Sequence, residues 1–332
     1  MRLLWCWGLA PSDALAELES HGFEIQLFSG GQAELVEAMD GTIDAVLIRR
    51  GISIDRNVLD HGKNLKYVQR AGSATANIDL DACREKGVVV AATLMHIDVG
   101  VAEHAFSLML GLAKQLVTGD KEVRDALYLD MGITPWLTTE TSFPTNWTGT
   151  TPILTVFRKT LGVIGLGEIG SALVRRAKAF DMNVIYHDLH RASAEKESSL
   201  AVRYVSLDEL ASESDFISLH LPHTQASEHL VNAHFLSLMK PTAFLVNCAR
   251  GGLVDEAALI RALAEGRIAG AGLDVFAFEP LPQDSPLLAA PNTIFSPHRA
   301  SSTDIDLDVE QLVRNLIAFK NGDQIDGVVV PR

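Results

Sequence analysis

The run Gly165-Leu-Gly167-Glu168-Ile169-Gly170 leaves this chain few ways to fold. It follows an apolar strand-like stretch, Leu161-Gly-Val-Ile, and opens a helical one, Ser171-Ala-Leu-Val-Arg-Arg. The first glycine permits a tight turn, the second lets backbone approach a ligand, and the third lets helix and strand pack closely. A strand that enters a helix this way belongs to a βαβ unit, which predicts an α/β fold around parallel sheet.

The rest of the chain alternates accordingly. Strands are expected at 3–7, 24–28, 45–48, 67–69 and 88–91, and again at 160–164, 183–186, 216–219, 243–246, 270–273 and 293–295. Helices are expected at 12–20, 79–86, 169–180, 207–212, 227–239, 256–265 and 306–319. Glycines at 22 and 87 stand just past two of them, a C-cap signal. Val99–Val117 predicts a long apolar helix that Glu103, His104 and Lys114 make too polar to span a membrane. Residues 134–160 lack periodicity and read as a long ordered loop whose aromatic residues pack on the host or a dimer mate.

A net charge of -14 leaves no basic stripe for nucleic acid. No apolar run reaches the roughly 18 residues of a membrane span. The apolar start carries one basic residue and leads straight into a helix start at Pro11-Ser-Asp, which favours a first strand over a signal peptide. Cys6, Cys83 and Cys248 are odd in number and scattered, so a reducing, cytoplasmic setting is expected.

The glycine turn presents free N–H groups at a helix N-terminus, where a pyrophosphate binds. Asp188 ends the next strand run, Asn183-Val-Ile-Tyr-His-Asp188, where its carboxylate accepts from an adenine-ribose diol and repels a 2′-phosphate. That favours NAD over NADP, although Arg191 stands close by in sequence.

Arg250, Glu279 and His298 each close a strand-like run, where α/β sheets place their chemistry. A fixed cation, a carboxylate and an imidazole suit polarising a carbonyl, orienting a proton carrier and moving the proton. His187, His190, His223, His229 and His234 lack ligand-like spacing with Cys or Asp, so no metal is expected. His96 and His104 read as neighbours of a pocket. Cys248 reads as a small buried side chain, with no base placed to activate it.

With these features in order, the chain resembles the D-isomer-specific 2-hydroxyacid dehydrogenase family. The resemblance runs through Leu65-Lys-Tyr-Val-Gln-Arg-Ala-Gly72, Val101-Ala-Glu-His104, the glycine turn and His220-Leu-Pro-His-Thr224. It continues through the block from Met239 to Asp255, then Asp274-Val-Phe-Ala-Phe-Glu279-Pro280 and Ser296-Pro-His298. It implies two doubly wound parallel-sheet domains. A Rossmann NAD-binding domain, 99–297, would be inserted into a discontinuous flavodoxin-like substrate domain, 1–98 and 298–332. It also implies a 2-oxo or 2-hydroxy acid as substrate, hydride exchange with NAD at C2, and a homodimer.

Position by position, the resemblance implies that Arg250 binds and polarises the substrate, that His298 is the acid in reduction and the base in oxidation, and that Glu279 bonds the His298 ring. Asp274 would meet the nicotinamide carboxamide, Cys248 and Ala249 would touch the ring through backbone, and His220, Pro222 and Thr224 would line the cofactor. Gly72 and Ser73 would hold the substrate carboxylate on backbone N–H groups, and Arg49 would assist with an acid or phosphate group. Three runs depart from the family pattern: Gly72-Ser-Ala-Thr75, Ile97-Asp-Val-Gly100 and Arg158-Lys-Thr160. The first two fall where substrate would sit, so its side chain is not carried over. Two other readings share the fold and the trio: an NAD(H)-responsive corepressor-like binding protein and a phosphite-type dehydrogenase. A formate-type site would pair histidine with an amide, which Glu279 disfavours.

Overall fold

The computed structural model describes residues 1–8, 10–49, 51–301 and 305–331. The chain divides into two compact units, Met1–Val99 with Ser302–Arg332, and Gly100–Ser301. In the first, β1 (Arg2–Trp5), α1 (Ser12–Ser20), β2 (Glu24–Leu27), α2 (Gln32–Ala38), β3 (Ala45–Ile48), α3 (Arg56–His61), β4 (Tyr67–Ala71), α4 (Leu80–Glu85) and β5 (Val89–Thr93) alternate. Next, α5 (His96–Lys114) leads into the second unit, which continues with α6 (Leu116–Arg124), β6 (Thr160–Ile164), α7 (Glu168–Ala179), β7 (Asn183–His187), α8 (Ala194–Leu200) and β8 (Arg203–Tyr204). It is completed by α9 (Leu207–Glu213), β9 (Phe216–Leu219), α10 (Ala233–Leu238), β10 (Phe244–Asn247), α11 (Glu256–Ala264), β11 (Gly270–Leu273) and β12 (Thr293–Phe295). The first unit then receives α12 (Ile305–Asn321) and β13 (Val328–Val330).

Each unit has its own sheet. In the second the order is β12-β11-β10-β9-β6-β7-β8, all parallel. The order reverses between β6 and β9, the switch point at which doubly wound sheets open a crevice beyond their C-terminal edge. In the first the order is β13-β5-β4-β3-β1-β2, parallel except for the β13–β5 edge. Its five parallel strands follow the flavodoxin-like pattern, reversing between β1 and β3.

Strand sequence explains why helices cover both faces. All four residues of β3 are fully buried. Ala45 and Leu47 pack into one cluster with α1 and α12, while Val46 and Ile48 pack into another with α2 and α3. In β10, Phe244 and Val246 join one cluster of the second unit and Leu245 the other. Burying each such Val, Leu or Ile side chain contributes roughly 1.5–3 kcal/mol.

Caps set several helix starts. Asp55, Asp79, Ser193, Asn232 and Asp255 each accept a backbone N–H of the helix that follows. Two helices differ from expectation for this reason. The expected helix 227–239 shrinks to α10, because Asn232 caps at Phe235 N, 3.1 Å, and Ser227 Oγ is engaged with Thr224 N and Pro222 O. The expected helix 99–117 starts earlier, because the Asp308 carboxylate accepts from His96 N and Ile97 N at 2.6 and 3.3 Å. It ends where Gln115 turns left-handed, φ 55°. Among the described residues no helix is long and apolar enough to cross a membrane.

Candidate active site

The loops that leave β10, β11 and β12 are neighbours, because those strands are adjacent and parallel. Arg250, Glu279 and His298 stand on these loops, three, six and three residues beyond their strands, so all three belong to one edge of the sheet. Asn247, buried at the end of β10, shapes the first loop: its amide donates to Arg250 O at 2.9 Å and its oxygen accepts Ala249 N at 3.0 Å. Gly251 follows, and a Cβ there would meet Phe276 O at 1.9 Å. Only glycine lets the Arg250 loop lie against the loop that carries Glu279. Arg250 is exposed and donates to Ala249 O at 2.5 Å. Among the described residues no carboxylate lies in ion-pair reach of it.

Glu279 and His298 form a bonded pair. Glu279 Oε1 accepts Phe276 N at 3.0 Å, and Oε2 lies 2.6 Å from His298 Nδ1. A carboxylate partner assigns the proton to Nδ1, which leaves Nε2 as the proton-exchanging atom. Partial burial raises the Glu279 carboxyl, but the bonds from His298 and Phe276 N outweigh it and hold the group below its usual range. A cavity of about 490 Å³ adjoins the pair, lined by Phe276, Glu279, Leu281, Phe295, Pro297 and His298.

The glycine turn joins β6 to α7 at the switch point. Gly165 has φ 96°, and a Cβ on Gly170 would lie 2.0 Å from Gly165 O. Gly167 faces open space, and no side chain caps the α7 N-terminus that holds Glu168 and Ile169. An uncapped helix start beside an open glycine fits a pyrophosphate. Asp188 follows β7, and its Oδ2 accepts Leu166 N at 2.7 Å, which holds the carboxylate over the turn. Arg191 is engaged elsewhere: Nε and Nη2 bond both oxygens of Glu197 at 2.8 and 3.0 Å, and its guanidinium lies 5.5 Å from the Tyr204 ring. Tyr186 anchors this fork by donating to Glu197 Oε1 at 2.7 Å.

His220, Pro222 and Thr224 follow β9, the strand next to β6. Burial pushes the His220 imidazole down to about 4, so the ring is neutral at ordinary pH, and its Nε2 lies 2.8 Å from Ser218 Oγ. Burial, with Asp274 nearby, pushes the Cys248 thiol up, which keeps it protonated and unreactive. Ala249 lies between it and Arg250, partly buried. In the first unit, Arg49 follows β3 and Gly72 follows β4, on adjacent strands. Gly72 N bonds Thr93 O at 2.8 Å, and Ser73 beside it is exposed.

Some structure here was not expected. The Asp274 carboxylate is joined to Ser296, and Ser296 to His104 on α5, at 2.6 and 2.7 Å. Glu197 had no signal, because its partnership with Arg191 runs between a loop and α8. Among the described residues no cluster of three His, Cys, Asp or Glu side chains could hold a metal ion.

Residues 106–300 match the family model described as D-isomer specific 2-hydroxyacid dehydrogenase, NAD binding domain. A glyoxylate reductase of Korarchaeum cryptofilum is 37% identical over 320 residues, covering 94% of this chain and 91% of the relative. A D-3-phosphoglycerate dehydrogenase of Methanocaldococcus jannaschii is 38% identical over 294 residues, 88% of this chain and 52% of that protein. The crystal structure of a glyoxylate reductase from Paecilomyes thermophila is 29% identical with a TM-score of 0.61, covering 99% of this chain and 98% of that one.

Proposed function

The chain belongs to the D-isomer specific 2-hydroxyacid dehydrogenase family, and from that premise we propose that it moves a hydride between a nicotinamide dinucleotide and C2 of a small 2-oxo or 2-hydroxy acid. The observation that carries this reading is the 2.6 Å bond from His298 Nδ1 to Glu279, which leaves Nε2 to exchange a proton.

The dinucleotide, when bound, supplies or takes the hydride. The α7 N-terminus with Gly165, Gly167 and Gly170 holds its pyrophosphate. His220, Pro222 and Thr224 line the cofactor, and Cys248 and Ala249 meet the nicotinamide ring through backbone. Arg250 grips the substrate carboxylate and carbonyl oxygen with its planar fork and draws electrons from C2. In the first unit, the Gly72 N–H is already taken by Thr93 O, so Ser73 is the residue of that loop left to offer a backbone N–H to an acid group, with Arg49 as a cation after β3. As C2 gains the hydride, His298 Nε2 gives its proton to the carbonyl oxygen, and Glu279 stabilises the charged ring before transfer. Oxidation runs the same proton path backwards.

Two features support NAD over NADP. Asp188 would repel a 2′-phosphate, and Arg191, the cation that would welcome one, is held by Glu197. Glyoxylate heads the substrates to test, because relatives bearing that activity match nearly the whole chain. Exposed apolar residues between α6 and β6 support a homodimer. The three free, buried cysteines suit a reducing cytoplasm.

The test is a panel of 2-oxo acids, glyoxylate included, with NADH and with NADPH, followed by nicotinamide absorbance. Turnover with NADH in preference to NADPH is expected. Nucleotide binding without oxidation by any acid would overturn the enzyme reading and favour a corepressor-like binding protein.

A further inference from the structure

We propose that Asp274 is a positioning residue, whose carboxylate holds the left-handed turn that presents His298 to the substrate. The inference rests on the acid–base reading of His298 and adds the device that aims it.

His298 has φ 50°, a conformation that side chains other than glycine rarely adopt. Such a residue persists where its surroundings over-determine it. Asp274 supplies that constraint from both sides. Ahead of His298, Ser296 Oγ donates to Asp274 Oδ1 at 2.6 Å. Beyond it, Arg299 N reaches Oδ1 and Ala300 N reaches Oδ2, each at 3.0 Å. The Asp274 backbone carbonyl accepts His298 N itself at 2.8 Å. One residue at the end of β11 thereby grips the chain before, at and after the proton carrier.

The clamp is pinned from outside as well. Ser296 has one hydroxyl proton, and Asp274 takes it. The contact from His104 Nε2 to Ser296 Oγ, 2.7 Å, is therefore an N–H donation, which sets the His104 tautomer and ties the turn to α5. The Asp274 side chain is 1% exposed, and three donors occupy its two oxygens. A buried carboxylate bonded in this way is compensated by its partners. Three donors from the turn engage it, and the contact with the nicotinamide carboxamide that the family resemblance implied is a separate role. The two roles differ in what they do to cofactor binding.

The experiment compares Asp274→Asn and Ser296→Ala with the wild type. It measures NADH affinity by fluorescence, kcat and KM for the best 2-oxo acid, and the His298 ring signals in long-range 1H–15N spectra assigned with His298→Ala. Holding the turn predicts a loss in kcat of roughly tenfold to a hundredfold, the cost of a misplacement near 1 Å. It also predicts displaced His298 ring signals and unchanged NADH affinity. Ser296→Ala should show the same pattern in weaker form, and it decides the matter if Asp274→Asn does not fold. NADH affinity that falls in step with kcat, with the ring signals unmoved, would overturn the proposal in favour of the carboxamide contact. If the wild type turns over no acid, the proposed reaction fails, and the ring signals alone still decide whether Asp274 holds the turn.

Discussion

At the scale of single residues, the pair His298–Glu279 divides proton transfer from orientation, so its two members should fail differently. His298→Ala removes the proton carrier and should lower kcat by roughly 10²–10⁴ with NADH affinity retained. Near-normal turnover in that variant would remove His298 from the role. Glu279→Gln keeps a partner for Nδ1 but not the charge. Because bonds to His298 and Phe276 N hold the Glu279 carboxyl below its usual range, it stays ionised further into acid when folded than when unfolded. Its stabilising contribution is present above the ordinary carboxylate range and is lost as pH falls through the lowered value. Urea midpoints of wild type and Glu279→Gln should therefore converge as pH falls from neutrality through and below the ordinary carboxylate range. A constant gap would show that the charge does not carry the interaction. The residue types of this pair and their place after β11 and β12 were legible in the sequence, although Glu279 lies six residues past the end of β11 rather than closing it. The Asp274–Ser296–His104 connection was not, because His104 lies on α5 and Ser296 beyond β12, and no local spacing relates them.

At the scale of elements, the strand–turn–helix unit was the most legible part of the chain, since its geometry is written in three glycines. Gly170→Ala should raise the NADH dissociation constant by about tenfold or more, because the added Cβ displaces the Gly165 carbonyl and with it the turn. It should also destabilise the protein by about 1–3 kcal/mol, the usual cost of overpacking. Unchanged affinity would mean that the turn does not bind the dinucleotide. The loop from β7 to α8 decides a finer matter. Glu197→Gln leaves Tyr186 an acceptor but weakens the fork on Arg191, freeing a guanidinium near a 2′-phosphate position. The ratio of NADPH to NADH affinity should rise by several-fold to about tenfold, the value of one charge-assisted bond at a partly exposed site. An unmoved ratio would leave Asp188 as the sole discriminator. Helix limits were legible for α11, which follows its own Asp255 cap and matches the expected span to within a residue, but not for α5, which is begun by a carboxylate from distant α12.

At the scale of the whole molecule, the segment between α6 and β6 is the part whose sequence says least about its own contacts. Residues 134–159 form neither helix nor strand, yet several bonds hold them: Thr150 Oγ1 donates to Glu122 at 2.5 Å, Leu154 N bonds Ala113 O at 2.7 Å, and Trp147 meets Tyr128 edge-on at 6.3 Å. This fixed segment nevertheless leaves Leu129, Met131, Trp136, Leu137, Phe143 and Ile153 exposed, Leu137 at 90% and Trp136 at 51%. Scattered apolar residues are normal on a surface, and a run of them along one segment makes that segment the face to test for the proposed homodimer. A second copy of the chain is the partner the family resemblance implied, and an isologous contact would cover the same segment on both copies. Light scattering should therefore give the wild type about twice the 36.0 kDa chain mass. The double variant Trp136→Asp, Leu137→Asp should shift it toward one chain, since each new carboxylate would have to be desolvated at the interface. A wild type that scatters as a single chain would end the homodimer reading, and a double variant that stays dimeric would move the interface away from this segment.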